Sequence, residues 1–391
     1  MKVAIFQFAT NAIGEVPGVM EYLIHLYLLN ALQKAASLSV VDLTPPPREG
    51  EVVSLTGAYE PSEIREALER VGADGALWGE LRFGPENQPV MERVEVRMLV
   101  SSRGREEEPK QSRFTFQALR GDSRSNRLWV DLAALEDLVE EMLVAAAGAW
   151  DLDPGKIQLS RVGEGMPRSD RAAIHFVYAL RLALNPETKL RFYRQAMAAD
   201  PAFALAYTNA AQLLLGMGRN GEAMRLLLQA EVHLKGSASE PDVLNLVGVT
   251  TLHMGMWEEA LKVWRRALDL CPGHVEVLCN LATAFSMREM YEDAEGCLRE
   301  AVANRDDYPL AWFLLGRLMV RSGRHEEAEA AMRRYIDLCP GDPWAYYLLG
   351  TSLARQGRED EAQFALAKAA QLDPDGEAGT LARRELQGLR G

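Results

Sequence analysis

The residue spacings that most often mark an enzyme are incomplete in this chain. Gly155 and Lys156 would end a phosphate-binding loop, but Trp150 stands where that loop needs its first glycine. The segment His325–Glu329 begins as a zinc-peptidase motif does and then lacks the second histidine. The sequence also lacks the Gly-x-Ser-x-Gly elbow that exposes the nucleophile of many hydrolases. We therefore expect a protein without enzymatic activity.

Cysteines and histidines, the residue types that bind metals and carry redox chemistry, are scattered. The four cysteines form no Cys-x-x-Cys pair and have no pair of histidines at ligand spacing nearby. They are Cys271, Cys279, Cys297 and Cys339. We expect four buried thiols in a reducing compartment, and neither a metal nor a cofactor. A redox-sensing role for Cys279 stays open, although no basic residue beside it in sequence would lower the pKa of its thiol.

Charge and hydropathy exclude further classes. The 391 residues include 43 Lys and Arg against 56 Asp and Glu, a formal charge of −13, so a nucleic-acid backbone would be repelled. The opening MKVAIFQFAT is typical of a strand and not of a secretion signal. The most apolar stretch, Met20–Leu32, is too short to span a bilayer. We expect a cytoplasmic protein that binds no nucleic acid and does not insert directly into membranes.

The second half of the chain repeats itself. Similar blocks end at Pro272, Pro340 and Pro374, which are 68 and then 34 residues apart. Small residues recur with the same period, as is required where paired helices approach closely. Two such series are Gly248, Ala282, Gly316 and Gly350, and Ala260, Ala294, Ala328 and Ala362. Glycines also fall in the predicted turns, where they can take the positive φ of a helix C-cap. These are Gly255, Gly323 and Gly357.

This pattern resembles the tetratricopeptide repeat, a pair of antiparallel helices in each 34 residues. The resemblance implies an all-α solenoid over residues 170–376, with about six repeats of which the first is degenerate, and a polar capping helix over 377–391. In that family the first helix of each pair lines a concave groove that binds partner proteins. The matching positions here, taken as candidate partner-binding residues, are Gln212, Asn245, His253, Phe313, Arg317, Arg321, Trp344, Tyr347 and Arg355.

The carboxy-terminal end of this predicted groove combines three arginines with three aromatic side chains. Arginine offers two parallel hydrogen bonds to a carboxylate, and aromatic rings give a large contact area at low entropic cost. We therefore expect a protein partner that presents an acidic or amphipathic peptide segment. The alternative is that these arginines only solvate helix faces and pair with carboxylates close in sequence. Those carboxylates are Glu326, Glu359 and Asp360.

Residues 1–150 follow a different pattern. Alternating apolar residues predict strands at 2–9, 38–43 and 74–83 and a hairpin ending near 118, and helical periodicity predicts helices at 16–36, near Pro61 and at 131–150. Residues 151–169 are predicted to be a linker. The stretches KVAIFQF, LSVVDL and VGADGALWGELR, in this order, resemble the amino-terminal domain of TolB and related bacterial modules. The resemblance implies an α/β interaction or sensing module, with a mixed sheet packed on one side by helices.

The first predicted helix is apolar on both of its faces. Tyr22, Leu26 and Leu29 lie opposite its core stripe, which indicates that a second surface covers them. We take them as a candidate docking helix at an interdomain or dimer interface.

These observations favour a non-enzymatic scaffold or adaptor in a bacterial cytoplasm. The repeats would bind a partner peptide or helix in the concave groove, and the α/β domain would give a second contact surface. Two alternatives stay open: a regulatory subunit whose α/β domain senses a small ligand, and a scaffold that assembles into homo-oligomers.

Overall fold

The structure is a computed structural model of the chain. It describes residues 2–5, 9–10, 15–33, 39–42, 64, 66–69, 73–83, 94–102, 110–116, 119–122, 127–130, 132–150, 152, 166–181 and 185–389. Pro61 and most of the predicted linker 151–169 lie outside these residues. The chain divides into two compact units, Met1–Val243 and Leu244–Gly391, and each is described by itself.

The first unit begins with a mixed β-sheet, as predicted. Its strands, with those of a small second sheet, are β1 (Lys2–Ile5), β2 (Ala9–Thr10), β3 (Ser39–Asp42), β4 (Gly75–Phe83), β5 (Val94–Ser102), β6 (Lys110–Phe116), β7 (Leu119–Asp122) and β8 (Arg127–Val130). The main sheet has the order β3-β1-β4-β5-β6, with β2 also pairing β4. Strands β1 and β3 are parallel, whereas β4, β5 and β6 form an antiparallel meander. The hairpin β7–β8 was not predicted from the sequence.

Both faces of the main sheet are covered. Val3, Ile5 and Leu77 point to the face that packs against α1 (Glu15–Gln33) and α2 (Leu132–Ala149). Residues on the other face, among them Ala4 and Trp78, pack against the helical residues 64 and 66–69. The expectation of helices on one side only is therefore wrong. The cause is visible in the strands, since the residues that alternate with the first face are also apolar.

Four helices complete the first unit. They are α3 (Asp170–Arg181), α4 (Pro186–Ala199), α5 (Ala204–Gly216) and α6 (Asn220–Leu234). Asn185 caps α4, because its side chain accepts a hydrogen bond of 2.9 Å from the backbone N–H of Thr188 and Pro186 occupies the first turn. Asp200 is buried and caps the C-terminus of α4. Its carboxylate accepts a hydrogen bond of 2.6 Å from the backbone N–H of Arg168. The segment predicted to be a degenerate first repeat therefore contains a helix pair, α3 and α4.

The second unit consists of helices only, as far as the structure describes it. They are α7 (Glu240–His253, which begins in the first unit), α8 (Trp257–Leu270), α9 (Val275–Met287), α10 (Tyr291–Asn304), α11 (Pro309–Arg321), α12 (His325–Leu338), α13 (Pro343–Arg355), α14 (Glu359–Leu372) and α15 (Glu377–Leu389). A small mixed sheet followed by a run of helix pairs confirms the predicted fold class. Among the described helices, none combines the length and apolarity needed to cross a lipid bilayer.

The recurring small residues lie where paired helices touch. A Cβ atom added to Gly248 would lie 2.4 Å from Nε1 of Trp264, and one added to Gly350 would lie 2.6 Å from Cγ of Leu366. Either distance is far below van der Waals contact, so the period of small residues is a packing requirement. At the carboxy-terminal end, α15 packs on α13 and α14 through Ala378 and Ala382.

Candidate functional site

The side chains of Phe313 and Arg317 form the first part of the predicted groove end. Both lie on α11, one helical turn apart, so they share a face. The half-buried ring of Phe313 lies with its centroid 5.2 Å from that of Tyr335. The guanidinium carbon of Arg317 lies 5.8 Å from the centroid of the Phe313 ring, within cation–π range. Arg317 therefore places its positive charge against the face of a pair of packed aromatic rings.

Arg321 lies one turn further along α11 and contacts a second aromatic residue. Its Nη2 donates a hydrogen bond of 2.7 Å to the hydroxyl of Tyr291, and its guanidinium carbon lies 5.2 Å from that ring's centroid. Desolvation, and then the like charge of Arg321, lower the pKa of Arg317 below its ordinary value. In the described part of the chain neither arginine forms an ion pair, and neither does Arg355. The alternative pairing with Glu326, Glu359 or Asp360 is absent there.

Trp344 and Tyr347 form the second aromatic group, on α13. Their ring centroids are 5.9 Å apart with an interplanar angle of 83°. Tyr347 and Leu386 of α15 pack against the same small apolar cluster, and burial, followed by the nearby carboxylate of Glu385, raises the pKa of Tyr347. Helix α15 therefore lies beside one aromatic residue of the predicted groove.

Asp342 links the two aromatic groups. Its carboxylate caps α13 by accepting a hydrogen bond of 2.9 Å from the backbone N–H of Trp344. It also accepts a hydrogen bond of 2.7 Å from the hydroxyl of Tyr335. Tyr335 in turn packs against the ring of Phe313. Tyr291, Tyr335 and Asp342 were not predicted from the sequence as site residues. The available signal was Tyr335 itself, a bulky residue in a series otherwise made of alanine, at Ala267, Ala301 and Ala369.

The remaining predicted groove residues are not part of this cluster. The side chain of Asn245 accepts hydrogen bonds from Nε1 of Trp264 at 3.2 Å and from Nδ2 of Asn280 at 2.8 Å, so it joins helices to each other. His253 is exposed at the end of α7, and Gln212 is exposed on α5 of the first unit. Whether these residues contact a partner remains a prediction.

The cysteines differ from the expectation of four buried thiols. Cys279 is buried, but Cys271 is exposed and Cys297 and Cys339 are intermediate. Burial, and then the nearby Glu276, raise the pKa of the Cys279 thiol to about 12. A thiol with that pKa is protonated at neutral pH, and this geometry gives a redox sensor no support.

The candidate docking residues of α1 are half-buried. Tyr22, Leu26 and Leu29 pack against the large apolar cluster of the first unit, and Ala173 and Val177 of α3 belong to that cluster. The second face of α1 is thus apolar in sequence and contacts apolar side chains in the structure. A role for these residues in docking another protein remains a prediction.

Arginines in the turns between helices are paired, in contrast to those on α11. Arg324 donates a hydrogen bond of 2.6 Å to Glu295 and also forms an ion pair with Glu327. Arg358 donates hydrogen bonds of 2.6 Å to both Glu329 and Glu361. The same arrangement occurs in the first unit, where Arg219 pairs with Glu222 and Glu187. These turn arginines present little free positive charge to a partner.

Antiparallel helix pairs of constant length, packed through recurring small residues, define the helical part of the chain as a repeat array. Three family models, each described as tetratricopeptide repeat, match residues 239–307, 279–343 and 319–384. Residues 239–384 are therefore tetratricopeptide repeats, which confirms the prediction made from their period.

Solved structures with similar helical arrays include three that differ in coverage. MamA (41-end) from Desulfovibrio magneticus RS-1 is 25% identical, with a TM-score of 0.38 over 44% of this chain and 97% of that chain. YrrB, described as a TPR protein with an unusual peptide-binding site, is 22% identical, with a TM-score of 0.38 over 50% and 97%. PilW, a type IV pilus biogenesis factor, is 18% identical, with a TM-score of 0.46 over 56% and 98%. The curated proteins contain no match to this chain.

Proposed function

We propose that this protein is a non-enzymatic interaction scaffold whose repeats bind an acidic peptide segment of a partner protein. The observation that carries the proposal is the pair Arg317 and Arg321, two adjacent guanidinium groups without an ion pair in the described residues, each held at an aromatic ring. Tetratricopeptide repeats as a class bind protein partners, so the chemistry of this cluster determines which partner fits.

Two physical effects favour an acidic partner segment. First, two like charges repel each other, and the carboxylates of an acidic segment would relieve that repulsion. Second, stacking on Phe313 and Tyr291 already restricts both arginine side chains, so less conformational entropy is lost when they bind. The half-buried rings of Trp344 and Tyr347 add apolar area for a neighbouring side chain.

For the amino-terminal α/β region we propose a second contact surface, in a module similar to the amino-terminal domain of TolB and in a cytoplasmic bacterial protein. The supports are the mixed sheet with its flanking helices and the apolar second face of α1. This part of the proposal is independent of the groove.

The test is a charge reversal of the groove arginines in the full chain. We expect an array of immobilised peptides to capture the protein through acidic sequences that contain an aromatic residue. The triple variant Arg317→Glu, Arg321→Glu, Arg355→Glu should bind those peptides at least about tenfold more weakly, a loss of about 1.4 kcal/mol. Its helical circular dichroism should be unchanged, because the three side chains lie on the surface.

A matched control carries the same change in charge elsewhere. Arg225→Glu, Lys262→Glu and Arg265→Glu replace three exposed cations outside the groove. Full binding by the groove variant, or an equal loss in both triple variants, would contradict the proposed site.

A further inference from the structure

Four methionines on neighbouring turns of the second unit are exposed. The exposed fractions are 45% for Met254, 43% for Met256, 71% for Met287 and 41% for Met290. The turn between α7 and α8 contributes two of them, and the end of α9 with the following turn contributes the others. These four methionines and Trp257 form the methionine patch. Exposed methionines are typical of surfaces that adapt to apolar partners, because the thioether side chain is flexible and polarisable.

Three residues of the methionine patch, Met256, Trp257 and Met290, line an open depression. This depression of about 490 Å³ is lined by Gly255 through Glu259 together with Arg288 and Met290. Trp257 is fixed at its wall, because its ring packs edge-on against Phe285 at 6.0 Å and the guanidinium carbon of Arg288 lies 5.1 Å from its centroid. An apolar side chain could therefore enter without rearrangement of the wall.

Two of these methionines replace arginines of the repeat. Met256, Met290, Arg324 and Arg358 occupy the same position of consecutive 34-residue units. Where the residue is arginine, it pairs with a glutamate three positions later, namely Glu327 or Glu361. Where the residue is methionine, the repeat keeps the carboxylate three positions later but lacks the arginine that would pair with it. Those carboxylates are Glu259 and Asp293, which are exposed and have no ion pair among the described residues.

The second partner of the turn arginine is replaced as well. Arg324 and Arg358 each reach a carboxylate of the preceding repeat, Glu295 and Glu329. The equivalent residue one repeat earlier, which would face Met290, is the buried Leu261. Both ends of the interaction between repeats are thus apolar here, while the outer carboxylates are retained.

We propose that the methionine patch docks a basic amphipathic segment of a partner protein. An apolar side chain of that segment enters the pocket beside Trp257, and its lysines or arginines pair with Glu259 and Asp293. Charge complementarity favours this occupant. The exposed charged residues at 255–259 and 287–293 are one arginine, Arg288, and five carboxylates. They are Glu258, Glu259, Glu289, Glu292 and Asp293. A second copy of the chain, with its formal charge of −13, fits this acidic rim poorly.

The test uses the full chain labelled with ¹³C at the methionine methyl groups. The probes are two amphipathic helical peptides with the same leucine positions, one with lysine and one with glutamate on the polar face. We expect the lysine peptide to shift the methyl resonances of the four patch methionines, and the glutamate peptide to leave them in place. Binding should weaken as salt is raised, because exposed ion pairs are screened.

Two sets of variants distinguish specific binding at the patch from nonspecific hydrophobic binding. Met256→Arg with Met290→Arg restores the arginine of the other repeats and should weaken binding of the lysine peptide by about tenfold or more. Glu259→Gln with Asp293→Asn removes only charge and should also weaken it, with no added bulk. As a control, Glu359→Gln with Asp360→Asn removes the same two charges from exposed positions outside the patch and should not weaken it. Each variant is checked by its helical circular dichroism and urea midpoint.

Three results would overturn the proposal. Equal shifts with both peptides would show apolar adhesion without charge selection, and unchanged affinity in the Met256→Arg, Met290→Arg variant would place the binding elsewhere. Self-association that depends on these methionines, seen as a mass that rises with concentration in sedimentation, would make a second copy the occupant. None of these results bears on the groove, whose variants are separate.

Discussion

Two halves of the second unit share one backbone plan and differ in the chemistry of their turns. In the half formed by α11–α14, Arg324 and Arg358 lie in ion pairs that join successive repeats. In the half formed by α7–α10, Met256 and Met290 stand at the same positions and are exposed. The interior small residues are common to both halves. The comparison indicates that the period specifies the fold, whereas the turns and the predicted groove are where the repeats differ in chemistry.

A second difference concerns the backbone of the turns. Gly255, Gly323 and Gly357 have φ values of 79°, 73° and 77°, in the left-handed region that glycine tolerates. The equivalent residue between α9 and α10 is Glu289, which has a φ of 62° and is the one non-glycine residue with positive φ among those described. A side chain in this conformation is strained, and here the strain lies beside the methionine patch.

The largest expected effect tests whether the interiors of the two halves are alike. Gly248→Val and Gly350→Val should each lower the free energy of unfolding by about 2–3 kcal/mol, because the new side chain meets Trp264 or Leu366 far inside contact distance. Urea unfolding followed by circular dichroism measures both. Similar losses would support a common interior in the two halves.

The control for this pair is Gly296→Ala, on the exposed side of α10. A Cβ atom there meets no atom within 4 Å, so the substitution should stabilise the helix by about 0.5–1 kcal/mol. If Gly248→Val were tolerated while Gly350→Val was not, the two halves would differ in their interiors as well as in their turns.

The interior of the repeats could be predicted from the sequence, whereas contacts between distant residues could not. The contacts of Gly248, Gly316 and Gly350 were predictable, because close approach of two helices leaves space for glycine at a fixed period. The β-sheet was predictable from alternating residues, but its second covered face was not. That face depends on small and aromatic residues such as Ala4 and Trp78, whose partners are distant in sequence.

The candidate site was only partly predictable, for a physical reason. Sequence period places Phe313, Arg317 and Arg321 on one helix face, as the structure does. It cannot show which side chains meet across repeats, so the contact of Arg321 with Tyr291 was missed. For the same reason the hydrogen bonds that link Asn245 to Trp264 and Asn280 were not predicted.

An intermediate effect is expected when the turn residues are exchanged between the halves. Glu289→Gly should raise the free energy of unfolding by about 1 kcal/mol, because it relieves the left-handed conformation. Gly323→Glu should lower it by a similar amount, because it introduces the same strain into the other half. Thermal and urea unfolding of both variants give the comparison. A loss of stability in Glu289→Gly would show that the glutamate side chain makes a stabilising interaction that outweighs its backbone strain.

The smallest effect is expected when a turn of the paired half is made like the methionine turns. Arg358→Met removes the ion pairs to Glu329 and Glu361 but leaves Arg333 bonded to both carboxylates, so the urea midpoint should fall by less than in the glycine exchange. The hydrogen bond from Arg358 is the main cause of the lowered pKa of Glu361. At Glu329 burial opposes the lowering, and hydrogen bonds from Arg358 and Arg333 outweigh it.

The dependence of this loss on pH decides whether charge is its cause. A carboxylate whose pKa is lower in the folded chain stabilises the fold above its ordinary value of 4.5, and the contribution disappears as the pH falls through the folded value. Wild type and Arg358→Met should therefore differ most at and above about pH 6 and converge in acid, and 1 M salt should reduce the difference. Arg355→Met removes an arginine of the same helix pair that has no ion pair among the described residues, and it should show no such pH dependence. A difference that persists in acid would instead assign the loss to the packing of the aliphatic part of Arg358, and the turns of the two halves would then differ in shape more than in charge.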